Sequence, residues 1–446
     1  MDDLTLIQYM KSDYDKDLSK YKKMRDYYDG KHDIYNRDYF KPRKWTLDRR
    51  THSNWIGKFI SEEIAYALNK PVSYTSLQGN SDFEQTIKQY FEHFTLNHDQ
   101  KLMRELEIYG KCYTLYYVKT YTDRLGEERI KFCERILNPT NAIAYCDDDG
   151  EVQRFIYFYK KKYDDNDYYN VYYPNGKVEI YKNNSLYKTE KHIFNRVPAH
   201  VISVEDSETL YAKIKELNDD YNELLTNQQC LINEYRNAYL GICANKQDVD
   251  EEFIKKLKLD EAGVIVYPDP QAKPSWIIKQ INDTAIKNQM DEIKQNLYAQ
   301  SGHIDWNEKL SSNLSGVALQ SRLTGLDQRV NMMLNPIKNA LYSRIYFLCD
   351  CLMLVNKIYD PADIKIEANI DIPTDTSARV NEVVQLGDIV SQQTKLERLP
   401  YVENPAIEIE RIQKEKLQNA ELQAKANKTA QNINLDLINE YGDTDE

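Results

Sequence analysis

The sequence predicts an α+β protein that is mainly helical. Three observations lead there. Long stretches carrying apolar residues at three- and four-residue steps dominate the chain. One block, residues 112–191, switches to short Tyr/Val/Ile-rich runs separated by turn signals. Gly and Pro are scarce, 14 and 13 among 446 residues, which excludes turn-dense all-β and collagen-like chains.

Taken in order, residues 2–30 read as a helix stopped at Tyr27-Tyr28-Asp29-Gly30, where Gly ends the helical run. A basic patch follows, Lys41, Arg43, Lys44, Arg49 and Arg50, with Trp45 among them. It is the best local candidate for nucleic-acid contact, against the plainer alternative of a solvated charged face. Residues 51–69 read as a second helix stopped at Pro71, and residues 81–109 as helix ending at Gly110. Within 112–191, Asp147-Asp148-Asp149-Gly150, Asn175-Gly176 and Asn183-Asn184 mark hairpins, so a β-meander is expected.

Residues 207–243 read as one long helix. Leu210, Ile214, Leu217, Tyr221, Leu224 and Leu231 fall on alternating steps of four and three, with Gln228 in the gap. That period of about three and a half predicts a seam against another helix. Residues 248–279 break the pattern, with a strand-like Gly263–Tyr267 followed by Pro268, Pro270 and Pro274. A helix over about 284–300 is capped by Asp283 and striped by Ile286, Met290, Ile293 and Leu297. A loop spans Gly302 to Ser315. The longest helix runs from about Gly316 to Lys357, roughly 60 Å, with a kink expected near Pro336. Pro361 to Pro373 reads as a short strand pair, 376–428 as short helices around Leu399-Pro400, and 436–446 as a frayed acidic tail.

The formal net charge is −12. A tight nucleic-acid binder carries basic excess to displace counterions, so a grip on DNA over the whole surface is excluded, while brief contact or sliding is not. The 36 Tyr against 11 Phe hint at much subunit-subunit surface. Seven Cys without a paired framework read as reduced thiols, and Cys349 and Cys351, two apart on a helix, point to different faces. The acidic Met1-Asp2-Asp3-Leu4 start lacks a signal core, and Ile345 to Ile358 is too short to span a bilayer, so no membrane partner is expected.

Catalytic motifs are missing: no GxxxxGK phosphate loop, GxGxxG, GxSxG or HExxH. His93 and His98 sit off-face from one another. Asp164, Asp165 and Asp167 lack the Gly and distal Glu of a calcium loop and fit a solvated hairpin better. No catalytic residue, metal site or cofactor is expected. From the residues alone the reading ends at an oligomeric protein with paired long helices.

Several segments carry a resemblance. Tyr27-Tyr28-Asp29-Gly30-Lys31-His32-Asp33-Ile34 resembles a YYxGKHDI segment, Asn69-Lys70-Pro71-Val72-Ser73-Tyr74 a GKPVxY segment, and Tyr109-Gly110-Lys111-Cys112-Tyr113 a YGxAY segment. Ile281-Asn282-Asp283-Thr284-Ala285, the loop, and Ser315-Gly316-Val317-Ala318-Leu319 opening a long helix complete the set. In this order and spacing the chain resembles portal proteins of siphovirus-type tailed phages. Where many relatives carry PNNxxxxGD, this chain runs from Arg196 through Pro198 to Asp206 without the Asn pair or the Gly.

The resemblance implies a portal fold. Residues 1–206 would form the wing, 207–243 and 284–301 two stem helices, and 244–283 the clip. Residues 302–315 would form the tunnel loop, 316–373 the long kinked wing helix with short strands, and 374–446 the crown and acidic tail. It implies a dodecameric homo-oligomer ring at a capsid vertex in the virion, assembled in the host cytoplasm. Its partners would be double-stranded DNA in the channel, a terminase packaging motor, a head-tail adaptor, the major capsid protein and a scaffold. Asp305, Trp306, Asn307, Glu308 and Lys309 are then the candidates for DNA contact at the loop tip, and the seam on 207–243 the candidate oligomer contact. Two rival readings remain at this point. A metal-dependent DNA-processing enzyme needs converging carboxylates, and a scaffold without a channel would give dimers or filaments.

Overall fold

The computed structural model describes residues 3–36, 50–91, 96–122, 124, 126–236, 239–243, 264–267, 275–277, 283–305, 316–368, 376–387, 389–399, 402, 405, 408–420 and 422. They fall into two compact units, residues 1–313 with 318–371, and residues 314–317 with 372–446.

The first unit opens with α1 (Asp3–Tyr28) and α2 (Trp55–Ala67). Asn54 caps α2, its side chain accepting from Gly57 N at 2.8 Å. A short strand β1 (Ser73–Ser76) leads to α3 (Ser81–Phe91) and α4 (Leu96–Tyr109). Helix was expected over 81–109, of which 92–95 lie outside the described residues.

The β-rich block holds more than a meander. Strands β2 (Lys111–Thr122) and β3 (Glu128–Leu137) form a hairpin that pairs with β9 (Ala199–Ser203), with β2 central. The true up-and-down meander is β4 (Ala142–Cys146), β5 (Val152–Lys160), β6 (Asp167–Tyr172), β7 (Lys177–Lys182) and β8 (Ser185–Lys191). The break lies at Asn138–Asn141. Asn138 Oδ1 accepts from Thr140 N at 3.1 Å and Asn141 Oδ1 from Asn138 N at 3.0 Å, closing a turn where a ladder would otherwise continue. Between β7 and β8, Asn183 and Asn184 both take positive φ, the tight hairpin that Asn-Asn announces.

Alternation along β5 sorts the core. Phe155 packs with Tyr113, Leu115, Leu137 and Val197 on one face, while its neighbour Ile156 packs with Ile7 and Met10 of α1 on the other. The meander is thus covered on both sides at its first strands, and its last strand β8 is exposed throughout.

The expected helix 207–243 is shorter. α5 runs Leu210–Arg236, and Tyr239–Cys243 is a strand, β10. β10 pairs in parallel with β11 (Val264–Tyr267) and antiparallel with β12 (Ser275–Ile277). The β-branched and aromatic content of Tyr239-Leu240-Gly241-Ile242-Cys243, given two partners, overrides continuation of the helix. Beyond this sheet, α6 (Asp283–Ser301) packs along α5.

α7 (Gly316–Met353) runs through Pro336 without ending there, and is about 57 Å long. Leu323, Leu326, Val330, Met333, Ile337, Ala340, Ile345, Leu348 and Leu352 are buried along it. Of the strand pair expected in 361–373, β13 (Ile364–Glu367) is described and pairs antiparallel with the distant β1, while 369–373 lie outside the described residues. Asp363 fixes that join, accepting from Ser76 Oγ at 2.7 Å and Gln78 N at 2.8 Å.

Two arginines of α7 are buried. Arg344 is 1% exposed and meets Asp99 of α4 at 2.8 Å and Glu134 of β3 at 2.8 Å. Burial disfavours the cation, but Asp99 and Glu134 outweigh it and hold the Arg344 pKa well above its ordinary value.

The second unit, taken by itself, contains α8 (Thr376–Gln385) and α9 (Gln392–Glu397), with helix again at residues 408–420. Short helices were expected there.

Replacing Arg344 with Met removes the guanidinium that Asp99 and Glu134 share and leaves Glu134 with His98 alone. We expect a loss of about 3–5 kcal/mol in urea denaturation, and far less on breaking an exposed pair such as Lys188–Glu190.

Candidate functional site

The candidate site is the helix pair α5–α6, the small sheet between them, and the start of the loop after α6. What holds α5 in place is polar. Leu210 and Ile214 are buried as expected, but further along the buried positions are Asn218, Asp219, Asn222 and Thr226. Three of these form a ladder at four-residue steps. Asn218 accepts from Trp55 N at 3.2 Å and donates to Ser53 O at 2.9 Å. Asn222 accepts from Ser53 N at 2.7 Å. Thr226 accepts from Thr51 N at 3.2 Å and donates to Thr51 O at 3.1 Å.

The spacing explains the fit. Four helical residues advance about 6.0 Å, and two extended residues about 6.6 Å. Side chains on one helical row can therefore pair with alternate residues of the chain beside them. They replace the neighbouring strand that the 51–55 backbone lacks.

Asp219 ties α5 to α1, accepting from Tyr27 Oη at 2.8 Å and pairing with Lys215 at 2.6 Å. Burial, then the adjacent carboxylate, pushes the Tyr27 phenol far up, so it stays a donor.

Leu217, Tyr221 and Leu224 of the predicted seam are half-buried rather than core. Tyr221 meets Trp55 edge-on with ring centroids 5.6 Å apart. The side chain of Leu231 lies outside the described residues. The α6 stripe is likewise half-exposed at Ile286, Met290 and Ile293 and buried at Leu297.

The end of α6 is anchored on α2. Tyr298 lies against Trp55 and Phe59, and its hydroxyl accepts from Lys58 Nζ at 2.8 Å. Gly302 takes φ +73°, and a Cβ there would stand 3.2 Å from Gly325 O. The loop start thus lies backbone to backbone on α7, which only Gly at both positions permits without displacement. His303 follows, buried and stacked on Phe59 at 4.2 Å, its ring nitrogens facing Ser301 O at 3.1 Å and Phe59 O at 3.2 Å.

Of the predicted loop residues, Asp305 is paired with Lys294 of α6 at 2.5 Å. Trp306, Asn307, Glu308 and Lys309 lie outside the described residues. Lys41, Arg43, Lys44 and Arg49 of the basic patch do too. Arg50 is described: its guanidinium donates to the Tyr35 carbonyl and lies 5.9 Å from the Tyr35 ring.

The acidic turns behave as turns. Asp164 accepts from Asn166 and Tyr168, and these hydrogen bonds hold its pKa down at about 2. Among the described residues no three His, Cys, Asp or Glu side chains converge to hold a metal ion. Burial pushes the Cys349 and Cys351 thiols up to about 12 and about 11. No helix among the described residues is long and apolar enough to cross a membrane.

The sequence profile described as "Phage portal protein, SPP1 Gp6-like" matches residues 7–422. The chain belongs to that family. It is a phage portal protein by this membership, and the family is a structural, non-enzymatic one. The portal protein of Bacillus phage SPP1 is similar to it, 20% identical over 416 residues, which cover 84% of this portal chain and 78% of the SPP1 protein.

Sequence reasoning missed Asn218, Asn222, Thr226 and His303. A signal was available for three of them. Asn and Thr are poor helix formers, and three on one row of a long helix call for a partner. Replacing Asn218 with Ala should leave Trp55 N–H and Ser53 C=O unpaired in the interior. We expect a cost of about 1–3 kcal/mol in chemical denaturation, and little change for the exposed Asp220 replaced by Ala.

Proposed function

We propose that the protein assembles as a closed ring around a channel through which double-stranded DNA is packaged and later ejected. Family membership over nearly the whole chain supports this, and one structural observation carries it: two packed helices, α5 and α6, bracket a three-stranded sheet and then turn back at a pinned glycine contact. In this reading residues 1–206 are the wing, and α5 and α6 the stem. Residues 239–277 are the core of the clip, 302–315 the tunnel loop, 316–373 the wing helix with its strand, and 374–446 the crown. The ring number taken from the resemblance is twelve. The ring occupies a capsid vertex in the virion after assembly in the host cytoplasm. Its clip docks first a terminase packaging motor and then a head-tail adaptor, and its outer face meets the major capsid protein, with a scaffold during assembly.

Physical chemistry favours this task for an acidic chain. DNA that must slide cannot be held by many phosphate contacts, since each neutralised phosphate strengthens the hold. A net charge of −12 meets that demand. Lys309 is the candidate for a transient phosphate contact and Trp306 for anchoring the loop. Ring closure needs head-to-tail contacts whose rotation closes. The half-buried Leu217, Tyr221 and Leu224 are the surface offered for it.

Negative-stain electron microscopy of the purified full chain, with and without its capsid protein, tests the ring. Closed rings with a central hole are expected. Dimers or filaments under both conditions would replace the channel with a scaffold. Leu217→Asp and Leu224→Asp should abolish rings while far-ultraviolet circular dichroism stays unchanged. Lys309→Ala should slow packaging in a reconstituted assay, and a normal rate and packaged length would remove Lys309 from the contact set.

A further inference from the structure

Two carboxylates share one guanidinium where α2, α4 and α7 meet. Glu63 and Glu107 are both fully buried, at 0% exposure. Glu63 Oε1 accepts from Arg329 Nε at 2.6 Å, and Glu107 Oε2 from Arg329 Nη2 at 3.1 Å. The third guanidinium nitrogen is spent on Glu208 O at 2.8 Å. Glu63 Oε2 and Glu107 Oε1 are buried with no hydrogen-bond donor. Both carboxylates lie on the same guanidinium, so each feels the other's charge.

One cation cannot neutralise two buried carboxylates, and an unpaired charge in such a place is costly. A second cation would have to be His303, whose Nε2 stands 3.6 Å from Glu63 Oε1. Both its ring nitrogens face carbonyl oxygens, which favours the imidazolium. Burial is the larger influence and holds the His303 pKa below its ordinary value against the pull of Glu63 and Glu62, with Arg329 acting in the same direction as burial. Lys58, the remaining cation nearby on α2, is engaged by Tyr298 and Glu62.

The Arg344 cluster shows the contrast. It too sets two carboxylates on one arginine, but there His98, partly exposed, sits 3.0 Å from Glu134 as a second partner. Burial would raise the Glu134 pKa, yet Arg344 and then His98 outweigh it and hold it low.

We propose that Glu63 and Glu107 form a one-proton site, in which Glu107 carries the proton and donates it to Glu63 at neutral pH. This leaves one carboxylate for one guanidinium and supplies the missing donor to Glu63. The inference stands apart from the ring reading and survives if that reading fails.

The pH dependence follows. Burial, then the Glu63 charge, hold the Glu107 pKa well above its ordinary value despite Arg329. A folded-state pKa above the unfolded one means that the folded chain binds more protons between the two. The stability is therefore complete below the unfolded value and is lost as pH rises through the folded one. Alkaline pH puts two charges against one guanidinium, beside the histidine that seats the start of loop 302–315.

The test compares the full-length parent with Glu107→Gln, whose amide is of the same shape and can donate without titrating. Denaturation midpoints are measured from mildly acidic to mildly alkaline pH, together with infrared difference spectra in the protonated-carboxyl region. The expected result is a parent midpoint that falls with rising pH, a protonated-carboxyl band at neutral pH, and loss of both slope and band in E107Q. The proposal fails if the parent lacks the band at neutral pH, or if the slope survives in E107Q and disappears in His303→Gln, which would put the proton on the imidazole. Should E107Q not fold, the parent band and its loss in Glu63→Gln decide the matter.

Discussion

The fold depends on two cations carried into its interior by one helix. Arg329 and Arg344 stand fifteen positions apart on α7, slightly over four turns, so they leave the helix on nearly the same side about 22 Å apart. A buried guanidinium is tolerated only when its donors find acceptors and its charge finds a counter-charge. Arg329 draws in Glu63 of α2, Glu107 of α4 and the carbonyl of Glu208 just before α5. Arg344 draws in Asp99 of α4 and Glu134 of β3. α4 answers both, through residues eight positions apart, and is the strut between them. Apolar packing along α7 provides much of the burial, but it is not directional. The two arginines fix the register in which helices and the central hairpin meet.

The same division of labour recurs on α5. Its apolar residues Leu210 and Ile214 bury the first turns, and then the inward face becomes Asn218, Asn222 and Thr226. Such a ladder adds little net stability, because each bond replaces one to water. It does set position, since a slip of one residue would leave several buried backbone groups unpaired. Asp219 adds the link to Tyr27 at the end of α1. The helix is thereby aligned on α1 and the 51–55 segment, and α6 packs along it.

Much of this was legible in the sequence where the causes are local. Helix stops at Gly30 and Gly110 and the hairpins at Asn175-Gly176 and Asn183-Asn184 rest on backbone conformations that those residues favour. The strand in 264–267 and the helix from Asp283 were readable for the same reason. What could not be read depends on distant partners. β1 pairs with β13 almost three hundred residues later, and no local pattern names that partner. The helix of 207–243 ends at Arg236 because Tyr239–Cys243 finds strands on both sides. Periodicity placed the seam on Leu210, Ile214, Leu217, Tyr221 and Leu224, since it weighs apolar residues and treats Asn as surface. Arg329 and Arg344 were not singled out in the sequence, although a charge within an apolar helix calls for a buried counter-charge, without naming which one. The loop-tip and basic-patch candidates lie largely outside the described residues, with Asp305 seen on Lys294 and Arg50 on Tyr35.

These arrangements bear on how a subunit of the proposed ring could be stiff inside and adaptable outside. A helix that buries a polar row and leaves Leu217, Tyr221 and Leu224 half-covered inverts the usual amphipathic order. Within one chain that order is wasteful, because apolar area is left partly in water. It becomes consistent once a second copy covers the apolar row, as the proposed assembly requires. The polar ladder then holds the helix in place before the neighbour arrives, which lowers the conformational cost of docking. In the proposed ring the neighbour would contribute non-directional apolar burial, which would tolerate small shifts between subunits as DNA moves through. Stiffness comes from hydrogen bonds and ion pairs inside the subunit, and in the proposed ring compliance would come from apolar contact between subunits.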